Sequence, residues 1–377
     1  MKLNYDVLVA IMSHLGDCSD TLESRRAIGR FMRTCRTLYA AGVSYIMDLP
    51  ICLDKSQAIK SFYYFLLRDP ARRFQYLRHL IIYNADPTTI EPREMIAYIL
   101  ENALQIEKLV LRDADVVKSH KRIPPAICSL PNLLDFTLDS GSKEGLEEGL
   151  RMLQKIKSPL RKVKFEFMYN TLYSASDPIQ FLASVKDTLE ELELTYVKFT
   201  SLAPQYPQFK RLTVTNDRPV VLEPLLRCFP NLRELYVTAY AQNPWFSYFS
   251  DGVNFGAERI KNQASQASNS WSSLDYLGGN PACLYALAVQ CPVHYMYATV
   301  SINWDNEIEM LAAVISDSQP SSLSIDLHCG YSTFDLKLLP LQAISTHALT
   351  RLTALKLRFQ WGGRAWYDPS TQAVRHI

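Results

Sequence analysis

The sequence predicts a mixed α/β solenoid. A short all-helical N-terminal region comes first, followed by an irregular array of parallel strands joined by helical returns. The strands line the concave side as a curved sheet and the helices the convex side. Three observations predict this. A Leu-x-x-Leu-x-Leu core returns along most of the chain. Amphipathic helical stretches fill the gaps between its copies. A separate helical pattern of about 47 residues precedes them.

The core is clearest in "DTLEELELTYVKF", from Asp187 to Phe199, where Leu189, Leu192 and Leu194 are spaced by three and then two. A helix repeats apolar residues every three or four positions, a strand every second one. The change of period makes sense if Leu189 ends the approach to a strand and Leu192 and Leu194 alternate inward along it. The same spacing recurs at "YLRHLII", "IEKLVL", "LLDFTL", "LRKVKF", "FKRLTV", "LRELYV", "WSSLDY" and "LTALKL", with weaker copies at "VHYMYA" and "PSSLSI". The central residues are Leu80, Leu109, Phe136, Val163, Leu192, Leu212, Leu235, Leu274, Met296, Leu323 and Leu355. Early steps of about 27–29 residues shorten to about 20–23, a leucine-rich-repeat period. One such strand cannot bury its own apolar side, so stacked neighbours must do it.

The intervening segments read as helices. "EPREMIAYILENALQ" places Met95, Ile96, Ile99, Leu100 and Ala103 on one face, and "KEGLEEGLRMLQKI" does the same with Leu146, Leu150, Leu153 and Ile156. "DPIQFLASVKD", "RPVVLEPLLRCFPN" and "DNEIEMLAAVISDSQP" follow that plan. Residues 48–71 read as a connecting helical segment and residues 72–377 as the repeat array. Residues 238–270 break the rhythm with Trp245, Phe246, Tyr248, Phe249 and Phe255 before a Ser/Asn/Gln-rich tail, and read as an insertion. Long insertions in repeat proteins fall in loops on one face, often the binding face.

The 377 residues carry 40 Lys+Arg against 38 Asp+Glu, a net charge of +2, with no overall basic field for nucleic acid. The cluster Arg25, Arg26, Arg30, Arg33 and Arg36 reads as a solvated helix face. The 8 cysteines are scattered without a Cys-x-x-Cys pair and read as buried thiols. No Asn-x-Ser/Thr acceptor, secretory leader or membrane-spanning apolar run is present in these residues, so a cytosolic or nuclear location is expected.

No catalytic constellation stands out. "GSKEGLEEGL" has three glycines but runs into a helix without the P-loop lysine. "CPVH" at Cys291 to His294 and "HC" at His328–Cys329 lack a second ligand pair at zinc-site spacing. Glu190, Glu191 and Glu193 read as a charged strand face. The expectation is a non-enzymatic chain with no metal or cofactor. Its function would lie in the residues flanking each strand leucine, among them Val110, Arg112, Lys164, Glu166, Glu193, Thr195, Thr213 and Tyr236, together with Trp245 and Phe246 of the insertion. A protein or peptide partner fits a face whose charges change sign between repeats.

At the N-terminus, Val7, Leu8, Ile11, Met12 and Leu15 in "LNYDVLVAIMSHL" form an apolar stripe at helical spacing. "RRAIGRFMRTCRTLYAAG" comes next, with "TCRTLY" at Thr34 to Tyr39. Together these resemble an F-box over residues 1–47, and the repeats resemble those of F-box proteins, in particular the large fungal families. Asn4 stands where the family has proline, and Leu38 where it has tryptophan. The resemblance implies a substrate-receptor subunit of a ubiquitin ligase. It would dock an SKP-type adaptor, and through it a cullin–RING ligase, by Val7, Leu8, Ile11, Leu15, Met32 and Leu38, and hold a protein substrate on the repeats. The alternative is a repeat scaffold that binds a protein partner without a ligase, with the N-terminal helices serving as a cap.

Overall fold

The computed structural model describes residues 4–16, 21–83, 90–139, 141–166, 177–216, 218–239, 254–301, 305–329 and 350–361. The chain divides into two compact units, residues 1–214 with 228–231 and residues 215–227 with 232–377.

The first unit opens with three helices, α1 (Tyr5–Gly16), α2 (Thr21–Met32) and α3 (Arg36–Asp48). Met12, Ile28, Met32 and Leu38 are buried among them. Gly42 on α3 permits the close approach, since a Cβ there would stand 2.3 Å from Met32 Cγ. Arg73 ties this trio to the helix that carries Phe65. It is 7% exposed, donates to Phe65 O and, at 3.4 Å, to Tyr39 Oη, and its guanidinium lies 4.1 Å from the Phe65 ring centroid.

Strands β1 (Ile51–Leu53), β2 (His79–Ile82), β3 (Lys108–Leu111), β4 (Asp135–Asp139), β5 (Lys162–Glu166), β6 (Glu191–Thr195) and β7 (Arg211–Asn216) succeed one another in chain order. Between them run α4 (Ser56–Leu67), α5 (Pro70–Arg73), α6 (Ile90–Asn102), α7 (Asp115–Ser119), α8 (Ile123–Cys128), α9 (Lys143–Leu153) and α10 (Pro178–Phe181). The registered pairs are parallel, and Leu80, Leu109, Phe136, Val163 and Leu192 align across β2 to β6, each at most 2% exposed. The predicted row of central leucines is therefore a continuous core.

One backbone device recurs at each step from β2 to β7. A carbonyl just before a strand accepts two amides from the next repeat. Arg78 O takes Glu107 N and Lys108 N, Glu107 O takes Leu134 N and Asp135 N, and Leu134 O takes Arg161 N and Lys162 N. Arg161 O and Glu190 O do the same for the next two strands.

The sheet begins earlier than the sequence reading placed it. β1 lies inside the segment expected to be a helical connector, with Ile51 opposite Leu80. Leu49 just before it, with Ile51 and Leu53 within it, are buried at spacings of two and two, where the other copies have a three-residue step. The step from β6 to β7 is short because its return has no helix. Val197, Phe199, Tyr206 and Phe209 fill that space instead, and Phe209 stacks on Phe229 at 4.1 Å.

The second unit contains β8 (Glu234–Ala239), α12 (Phe255–Gln266), β9 (Leu274–Gly279), α13 (Pro281–Leu287), β10 (Val293–Ser301), α14 (Asp305–Ser318), β11 (Ser322–Cys329) and β12 (Ala354–Trp361); α11 (Leu222–Cys228) precedes β8. Here too the registered strands are parallel, with Leu235, Leu277, Met296, Leu323 and Leu355 aligned. The residue opposite Leu235 is thus Leu277, not Leu274. The true copy is "LDYLGG", and Gly279 takes the place of its last leucine. A Cβ at Gly279 would lie 1.8 Å from Val237 O, and its φ of +149° is a conformation other residues rarely adopt.

The predicted insertion also needs correction. Its polar second half is the returning helix α12. Asn262 is 1% exposed; its Oδ1 accepts from Leu222 N at 2.8 Å, and its Nδ2 donates to Val220 O at 3.0 Å and Ala286 O at 2.8 Å. Gln266 donates to Ala288 O and accepts from Gln290 N. Asn262→Leu leaves three backbone groups unpaired and is expected to destabilise the protein by about 2–4 kcal/mol in urea unfolding. Ile260→Ala on the same helix, at a residue 69% exposed, should change stability by no more than about 0.5 kcal/mol.

Candidate functional site

The strand residues that point away from the leucine core form the face expected to bind a partner. In the first unit this face is a cross-strand charge ladder. Lys108, Asp135, Lys162 and Glu191 stand in register, with signs alternating along the row. Lys108–Asp135 is 2.9 Å, Lys162–Glu191 3.2 Å and Arg211–Glu191 2.7 Å. One row on, Lys164 Nζ lies 2.6 Å from Glu193. The next row has Arg112 paired with Asp139, and Asp139 opposite Glu166.

The structure therefore brings predicted residues together as each other's partners. Lys164 and Glu193 pair, and Arg112 holds Asp139. Burial pulls the Lys164 ammonium down, but the Glu193 hydrogen bond and nearby carboxylates outweigh it and leave it above its ordinary value. Thr213 is half-buried on β7. Val110 and Thr195, expected to face solvent, are 5% and 9% exposed. Apart from the pair at buried Asp139, such largely exposed pairs contribute little stability each, so the ladder chiefly fixes what the face offers. Trp245 and Phe246 lie outside the described residues.

In the second unit the same face is aromatic. Tyr276 and Tyr295 stack at 5.7 Å, and Tyr297 Oη donates to Asp326 at 3.0 Å. Tyr236, the predicted residue here, packs over Gly278, where a Cβ would stand 2.8 Å from its ring and 2.5 Å from Tyr276 Oη. Asp139, Asp326 and the other tyrosines of the row, Tyr276, Tyr295 and Tyr297, escaped the sequence reading. The columns emerge only when the copies are aligned on their central leucines, and the shift at β9 hid the second set.

At the N-terminus the predicted adaptor residues separate. Val7 and Ile11 are 46% and 37% exposed, and Leu8 and Leu15 half-buried. Met32 and Leu38 lie in the core of the helical trio, at 8% and 4% exposure, so they hold the helices together and do not form a docking face.

The glycines of "GSKEGLEEGL" serve packing. A Cβ at Gly145 would meet Asp115 Oδ1 at 2.5 Å, and one at Gly149 would meet Leu138 Cδ2 at 2.4 Å. A recess of about 340 Å³ beside α5 is lined by Pro70, Ala71, Phe74, Gln75, Asn102, Leu104 and Gln105, none of them titratable. Among the described residues no His, Cys, Asp or Glu group is placed to hold a metal ion, and no helix is long and apolar enough to cross a membrane.

His79 begins the charged row opposite Lys108. Burial, reinforced by the Lys108 and Arg25 cations against a weaker pull from Asp135, lowers its pKa to about 4. The depressed value means that the folded state resists protonation, so stability is full above pH 6.5 and is lost as pH falls toward 4. Since His79 is only partly buried, the loss should be about 1–2 kcal/mol, less than the shift alone implies. His79→Gln should abolish that part of the pH dependence in unfolding measured from pH 7 to 4. No protein-family model matches the chain, and no curated protein matches it.

Proposed function

We propose that this protein is the substrate-receptor subunit of an SKP–cullin–F-box ubiquitin ligase. Its N-terminal helices dock the adaptor, and the strand face of its repeats holds a protein substrate. The observation that carries the reading is the exposed apolar pair Val7 and Ile11, one turn apart on α1, in a helical trio that precedes a parallel strand array. A helix gains nothing from presenting that pair to water unless something covers it. The resemblance of residues 1–47 to an F-box supplies the occupant. In this role the protein does no chemistry and acts by proximity, keeping a bound substrate near the ligase.

A second reading has its own support. Met12, Ile28, Met32 and Leu38 give the helical trio a core, which is what a cap on the first repeat needs. In that case the protein is a leucine-rich-repeat scaffold with no ligase.

The two readings part at the adaptor. Purified full-length protein is expected to bind the host's SKP-type adaptor saturably in calorimetry. Val7→Asp/Ile11→Asp should weaken that binding at least about 100-fold while leaving the unfolding midpoint within a few degrees of wild type. Absence of binding by folded wild-type protein would remove the ligase reading and leave the scaffold.

A further inference from the structure

The charge ladder of the first unit has one exception. Of the charged residues placed opposite one another in its registered strands, Lys108–Asp135, Asp135–Lys162, Lys162–Glu191 and Lys164–Glu193 are all opposite in sign. Asp139 and Glu166 are two carboxylates side by side on β4 and β5. Adjacent strands are about 4.8 Å apart, and like charges directly opposite destabilise a sheet.

Neighbouring cations relieve the pair only in part. Arg112 binds one oxygen of Asp139, and Asp139 is 5% exposed. Arg112 takes Oδ2, and Asp139 Oδ1 is buried and has no hydrogen-bond partner, in a residue whose register neighbour on β5 is Glu166. Among the described residues Glu166 has no ion-pair partner. Lys164, two residues before it on β5, pairs with Glu193 at 2.6 Å. Around Glu166 stand Asp139 and Glu193 on one side of the balance and Lys164 and Arg112 on the other. Three carboxylates face two cations, so the cluster is one positive charge short. Burial first, and then the Asp139 charge, raise the Glu166 carboxyl above its ordinary value.

We propose that the strand face at Asp139, Glu166 and Glu193 receives a lysine or arginine side chain from a basic segment of a protein partner. The incoming cation supplies the missing charge between Glu166 and Asp139, while Arg112 and Lys164 hold the two flanking carboxylates in place. The inference rests on the reading that this face binds a protein, and does not require the ligase. An anionic partner such as nucleic acid would meet the unbalanced carboxylates and be repelled.

The test uses the full chain without adaptor, so its outcome is independent of adaptor docking. Fluorescein-labelled deca-arginine is titrated at about 0.15 M salt, where long-range attraction is screened. Wild type should bind, and Glu166→Gln should bind at least about 10-fold more weakly. Glu147→Gln, which removes a carboxylate from the exposed side of α9, should bind as wild type does. Glu166→Gln should also raise or preserve the unfolding temperature, because it removes like-charge repulsion. No binding by wild type, equal weakening in both variants, no change in Glu166→Gln, or a lowered unfolding temperature in Glu166→Gln would each overturn the proposal.

Discussion

The structure depends on parallel register. Each strand has only a few inward residues, too few to form a core alone. Leu109 is fully buried because Leu80 and Phe136 lie beside it in the same row. A slip of one residue would turn every leucine outward and every charge inward. The doubly accepting carbonyls guard against that slip. Arg78 O, Glu107 O, Leu134 O, Arg161 O and Glu190 O each anchor the first amide of the next strand and the amide just before it. Register is thus set at the strand entrance by backbone geometry and along the strand by leucine packing.

The same register decides what the outer face can do. Once the leucines align, the residues between them align too, and opposite charges meet their partners one strand away. Lys164 and Glu193, far apart in sequence, become neighbours at 2.6 Å. A face satisfied in this way has little net attraction for a ligand. The Asp139–Glu166 pair is where that pattern fails, which is why the proposed cation is placed there. The second unit takes another course. Gly278 removes a side chain from its face so that Tyr236 and Tyr276 can fold over the gap. That produces an aromatic surface, chemistry suited to protein contact.

Much of the fold was legible because its period is written in large apolar residues. Leu80 through Leu192 fell into one row, as the spacing implied. The misses have identifiable causes. At β1 the buried residue before the strand, Leu49, stands two positions from Ile51, so the three-residue step that the pattern needs is missing. Gly279 replaced a leucine at β9, where Val237 O leaves no room for a side chain, and moved the apparent centre of that copy from Leu277 to Leu274. α12 looked like a polar loop because its buried face uses Asn262 and Gln266, which serve backbone groups of adjacent returns. Hydrophobic periodicity does not register an amide that is buried because its hydrogen bonds are complete. For the candidate sites, sequence identified Arg112, Lys164 and Glu193 as strand-face residues but not their pairing, since pairing depends on the alignment of separate copies.

The exposed pair on α1 and the carboxylate pair on β4 and β5 share one logic. Each violates the rule its surroundings obey. The helical trio buries Met12, Ile28, Met32 and Leu38 but leaves Val7 and Ile11 in water. The ladder pairs its charges but leaves Asp139 beside Glu166. Both features cost stability in the isolated chain, one by exposing apolar surface and the other by repulsion. A partner that covers Val7 and Ile11 recovers the first cost, and a cationic side chain at Glu166 recovers the second. Because the two lie on different elements, α1 and the β4–β5 face, each proposed partner would have a site of its own.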